Sequence, residues 1–128
     1  MMRLEHESAP EGPMIKGFSG GGFRIDDNVY TALLLTPASA HGWAPPAITA
    51  LSPDDIASLI TPDPHPEFII LGTGAGLVHP PRALVNALDA LGIGIDIMDS
   101  RAAARAWSVL RQEGRWISAA LYPLDYRG

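Results

Sequence analysis

The sequence predicts a compact α/β domain, and three observations carry that prediction. From residue 68 onward, short apolar runs alternate with stretches of helical periodicity, giving the order β, α, β, α, β. Ahead of them, apolar pieces broken by Gly20-Gly21-Gly22 and by Asp26-Asp27-Asn28 read as antiparallel strands joined by turns. With 128 residues and no cysteine, the chain is long enough to bury a core and must be held by packing alone.

Each element has a local reason. Residues 1–13 are polar with two prolines and read as a flexible N-terminal tail, leaving residues 14–128 as a single domain. In "MIKGFSGGGFRIDDNVYTALLLTP" two or three strands are expected, with Phe23–Ile25 and Val29–Thr36 on either side of the acidic turn. The proline-bearing stretch "PASAHGWAPPAITA" is expected to wrap the sheet edge as irregular chain. Ser52-Pro53-Asp54-Asp55 starts a short helix: a capping serine, a proline at the first helical position and acids at the positive end of the dipole. Ile56, Leu59 and Ile60 form its buried stripe, and the prolines of "TPDPHPE" end it.

Phe68–Leu71 is too short for a core helix and fits a buried strand. After the glycine loop, Pro80 or Pro81 opens a helix in which Leu84, Leu88 and Leu91 repeat, until Gly92 ends it. Ile93, Ile95 and Ile97 alternate with Gly94, Asp96 and Met98, a strand pattern. Asp99 or Ser100 caps a helix running to about Glu113 that buries Ala103, Trp107 and Leu110, and "RWISAALYP" is the last strand. The first two strands of this series are expected to pair in parallel through a right-handed crossover.

Charge and composition narrow the function. A formal net charge of −5 argues against a nucleic-acid partner, whose phosphates call for a Lys/Arg excess. No run approaches the roughly 18 consecutive apolar residues of a membrane span. The N-terminus has no apolar core like that of a secretory signal, so a cytoplasmic location is expected. His6, His41, His65 and His79 are scattered without metal-ligand spacing, so neither a metal nor a cofactor is expected. Ser100 with Asp99 and His79 lacks the G-x-S-x-G elbow of a hydrolase, so no catalytic set is assigned.

Two constellations remain. The stretch "GTGAG" follows a strand and precedes a helix, as in a dinucleotide site, but the spacing is not G-x-G-x-x-G and "LVHPP" separates the glycines from the helix. The loop is therefore a structural turn, a nucleotide site, or part of a crevice for a smaller anion. Such a crevice would gather Gly72, Thr73, Gly74, Asp99, Ser100 and Arg101 beyond the strand ends, with Arg105 one helical turn on. The two arginines can fork onto a carboxylate or phosphate, or they form a solvated face paired to Asp96 or Asp99. Trp43, among prolines, is a candidate partner anchor or a cover for the core's edge.

Three stretches, "IKGFSGGGFRI", "IILGTGAG" and "IDIMDSRAAARAWSVLRQEGRWISAALYP", together resemble the Mth-type domain family, which includes a respiratory complex I assembly factor. The resemblance implies a three-layer α/β fold with a central mixed sheet, helices on its faces, an N-terminal antiparallel hairpin region and a last strand antiparallel to its neighbours. The family's G-T-G loop matches Gly72-Thr73-Gly74, its helix arginine Arg105, and its E-G-R Glu113-Gly114-Arg115, which adds Arg115 to the candidate crevice. Ser100, Ala104, Ala106, Trp107 and Ser108 stand where the family commonly has Thr, Cys, Thr, Tyr and Asn, which favours a docking surface over shared small-molecule chemistry. The resemblance thus implies a non-catalytic interaction or assembly protein whose partners are proteins, among them subunits of a membrane complex. Trp43 and Trp107 are its candidate partner surface. The alternatives are a small anionic-ligand binder or enzyme using the Gly72–Gly76 loop, and a crevice where two protomers of a homo-oligomer meet.

Overall fold

Alternation of side chains across a central sheet organises the molecule. The computed structural model describes residues 12–128; of the expected tail, all but Gly12 and Pro13 lies outside the described residues. Strands β1 (Gly17–Ser19), β2 (Gly22–Ile25) and β3 (Asn28–Tyr30) form a small antiparallel sheet. Gly20 and Gly21, at φ +58° and +81°, make the tight turn between the first two, a backbone that residues with a Cβ adopt only under strain. The main sheet has the order β5-β4-β8-β6-β7, built from β4 (Leu33–Leu35), β5 (Ala40–Gly42), β6 (Phe68–Gly72), β7 (Gly94–Met98) and β8 (Ser118–Leu121).

The expected strand over Val29–Thr36 is split. Thr31 and Ala32 form a bend that carries the chain from the small sheet into the main one. The proline-bearing stretch does wrap the sheet edge, but it contributes β5 and a 3-10 turn at Ile48–Ala50.

The last strand departs from expectation. It is antiparallel to β4 but parallel to β6, and it sits at the sheet's centre. The reason is the connection: helix α3 (Ser100–Gln112) lies between β7 and β8 and returns the chain to the same end of the sheet, as a parallel crossover requires. β6 and β7 pair in parallel through α2 (Arg82–Ala90), as their spacing predicts. Because the first crossover steps outward and the second steps back across β6, right-handed connections place the two helices on opposite faces.

Those faces are the two halves of the core. Leu34, Ile69, Leu71 and Ala120 face α2 residues Leu84 and Leu88, together with Ile56, Leu59 and Ile60 of the short helical segment that ends in α1 (Ala57–Ile60). Leu33, Leu35, Ile70, Ala119 and Leu121 face the other way, onto Ala103 and Trp107 of α3 and onto Phe23 and Ile25 of the small sheet. Leu91 falls past the end of α2 and is exposed, so the stripe stops at Leu88. Asp55 accepts hydrogen bonds from the Ser52 backbone N–H and hydroxyl at the start of the short helix. Asp99 Oδ1 accepts from the Ala102 N–H at 2.9 Å and caps α3.

Candidate functional site

The residues beyond the C-terminal ends of β6 and β7 come together as the sequence suggests, in a closely packed junction. Ser100 is fully buried, and its hydroxyl accepts from the Gly74 N–H at 2.8 Å while donating to the Tyr122 carbonyl at 2.7 Å. Thr73 is also fully buried; its hydroxyl accepts from the Val78 N–H and lies within hydrogen-bond reach of the Met98 carbonyl. A Cβ on Gly72 would meet the Ser100 hydroxyl and the Leu121 side chain. At Gly74, φ is +99° and a Cβ would run into the Tyr126 backbone, so both glycines are required by close approach. The segment after β8 fills the space beyond the strand ends: Ala75 donates to the Tyr126 carbonyl, and the Tyr122 and Tyr126 rings pack 4.8 Å apart. Burial pushes the Tyr122 phenol above its ordinary pKa, helped by Tyr126 and Asp55, and its hydroxyl donates to the Pro46 carbonyl.

The arginines do not converge on this junction. Arg115 lies at the opposite end of β6, where it pairs with Glu67 at 2.9 Å and sits over the Phe68 ring. That hydrogen bond holds the Glu67 carboxyl below its usual range and raises the Arg115 guanidinium above its own. Arg101 stacks on Phe18 of the hairpin, 4.7 Å from the ring centre, and Arg105 follows on the same side of α3.

There a groove opens between the β1–β2 hairpin and α3, with a volume of about 380 Å³. Ile15, Phe18 and Ala104 make its apolar floor; Lys16, Arg105 and Val109 stand along it. Its walls are tied together, because Ser108 donates to the Ile15 carbonyl and the Trp107 indole to the Pro13 carbonyl. Sequence spacing gave no signal for this groove, whose two sides lie far apart in the chain.

The tryptophans redistribute. Trp107 is fully buried and is not on the surface expected of it; its place in the Ala103 stripe accounts for that. Trp43 is partly buried, donates to the Leu121 carbonyl at 3.2 Å and meets Tyr122 edge-on, so it covers the core's edge. Trp116, outside the expected partner surface, is 41% exposed beside Pro64 and Pro66. Among the described residues no group of three His, Cys, Asp or Glu stands close enough to hold a metal ion, and no helix is long and apolar enough to cross a membrane.

The family described as proteins of unknown function (DUF498/DUF598) matches residues 15–122, from the hairpin through β8. The chain belongs to that family. An uncharacterized protein of Rhodobacter capsulatus is 36% identical over 110 residues, covering 86% of this chain and 84% of that one. NADH dehydrogenase [ubiquinone] 1 alpha subcomplex assembly factor 3 of Danio rerio is 26% identical over 121 residues, 94% of this chain and 70% of its own length. The solution structure of a Bordetella pertussis protein, a Mth938-like domain, superposes with a TM-score of 0.70 at 21% identity, covering 88% of this chain and 87% of that one. The Mth-type resemblance and its three-layer fold are thereby borne out.

Proposed function

We propose that this DUF498/DUF598 chain is a non-catalytic interaction protein that aids the maturation of a membrane-associated complex of respiratory type. The observation that carries the reading is the similarity to the Danio rerio assembly factor along 94% of the chain. The geometry supports it. Thr73 and Ser100, the hydroxyls nearest the strand ends, are engaged in holding backbone, while the open groove is walled by the hairpin and α3. The test is recovery of the tagged chain from gently solubilised membranes of its own cells, quantified by mass spectrometry against a tag-only control. Enrichment of subunits of one membrane complex is expected; recovery of the bait alone overturns the reading.

A second reading, a binder of small anions, draws on a cavity of about 320 Å³ at the start of α2, where His79 and Arg82 accompany Pro80, Val85 and Ile97. It predicts a melting shift: a ligand at 100 times its dissociation constant adds about 2.7 kcal/mol of stability. Flat melting across anionic metabolites and nucleotides removes it.

A further inference from the structure

The groove between the hairpin and α3 combines two features. One is an apolar floor that continues outward to Val109, which is 57% exposed although it lies on a packed helix. The other is positive charge: Lys16 and Arg105 line the groove and Arg101 lies over Phe18. Among the described residues the single ion pair is Arg115 with Glu67, so Lys16 and Arg105 have no carboxylate of their own. Arg101 and Arg105 stand one turn apart on α3, where like charges repel, and the intervening side chains offer no acid to relieve them. This happens on a chain whose net charge is −5. A carboxylate does lie nearby: Asp26 lines the adjoining depression with Lys16, without forming an ion pair.

We infer that this groove docks an acidic amphipathic segment of a partner protein, with apolar side chains on the Ile15–Phe18–Ala104 floor and Asp or Glu side chains reaching Lys16, Arg101 and Arg105. This rests on the interaction reading above and gives it a surface and a partner chemistry. Charge complementarity selects the occupant: the cations supply steering and register, while the apolar floor supplies the contact. The hydrogen bonds from Ser108 and Trp107 fix both walls in advance, so little ordering is needed on binding. A membrane surface fits less well. It is flat where the groove is concave, and anionic lipids would repel a chain of this net charge.

The experiment places a photo-crosslinking amino acid at Val109, in the groove, and in a separate full-length chain at Leu77, 59% exposed on the glycine loop. Both are irradiated in the protein's own cells and the crosslinked peptides are sequenced. The expected adduct at position 109 is a partner segment carrying Asp or Glu around apolar residues. It should fall about tenfold in a chain carrying Lys16→Glu and Arg105→Glu whose melting temperature matches the parent. An adduct with lipid, with a second copy of this chain or with a segment lacking acids overturns the inference, as does an adduct that survives the charge reversals. Adducts at position 77 alone overturn the groove but leave the interaction reading standing; adducts at neither position overturn both.

Discussion

Replacing Ser100 with alanine separates a structural junction from a reactive one. The hydroxyl is fully buried and bridges two backbone groups, accepting from Gly74 N–H at 2.8 Å and donating to the Tyr122 carbonyl at 2.7 Å. Each buried hydrogen bond contributes about 0.5–1.5 kcal/mol net, and a buried N–H left without a partner costs about 1–3 kcal/mol. Removing the bridge should therefore destabilise the chain by about 2–4 kcal/mol. For a chain of this length each kcal/mol is worth about 3–5 °C, so the melting temperature should drop by roughly 6–20 °C. Urea unfolding followed by circular dichroism reads the free energy, and an unchanged slope would confirm that stability alone has changed. Capture of partners below the lowered melting point should persist. A Ser100→Ala chain as stable as the parent would refute the view that this hydroxyl ties the glycine loop to β8.

Asp99→Ala removes the cap of α3 and should cost about 1 kcal/mol in urea unfolding, with no loss of partner capture. Trp43→Ala removes the cover over Tyr122 and the bond to Leu121 and should destabilise by about 3 kcal/mol, while partner recovery in the folded fraction persists; lost recovery at unchanged stability would make Trp43 an anchor instead. Glu67 is held below its unfolded pKa by Arg115, so its contribution is present above the ordinary carboxylate range and lost as pH falls through the folded value. Glu67→Gln should therefore narrow its gap to the parent in urea midpoint between pH 7 and pH 3. Tyr122 is shifted the opposite way, so its contribution is present below the ordinary tyrosine range and stability should fall as pH rises above about 10, a loss that Tyr122→Phe should remove.

Local signals fixed most elements, and long-range contacts supplied what they missed. The alternation at Ile93, Ile95 and Ile97, the Leu84–Leu88 spacing and the caps at Ser52 and Asp99 place strands and helices where the structure has them. Periodicity also put Trp107 on the buried stripe with Ala103, and that signal correctly outweighed its promise as a surface aromatic. The parallel pairing of β8 with β6 depends on a crossover and leaves no mark in the last strand itself. At the candidate site, Gly72, Thr73, Gly74 and Ser100 were brought together by a general rule about strand ends. What fills that space, Tyr122 and Tyr126, follows β8 and gave no spacing to read. The groove joins residues 15–18 to residues 104–109, so its charge and shape exist only once α3 has folded against the hairpin.

The most direct test of the assembly account is a native gel of solubilised membranes from cells lacking this gene, probed for subunits of the complex recovered with the tagged chain. The account predicts a smaller, incomplete complex that accumulates without the protein. The full-length wild-type chain should restore the mature form, and the chain carrying Lys16→Glu and Arg105→Glu should fail to. A fully assembled complex of normal abundance in the cells lacking the gene would contradict it.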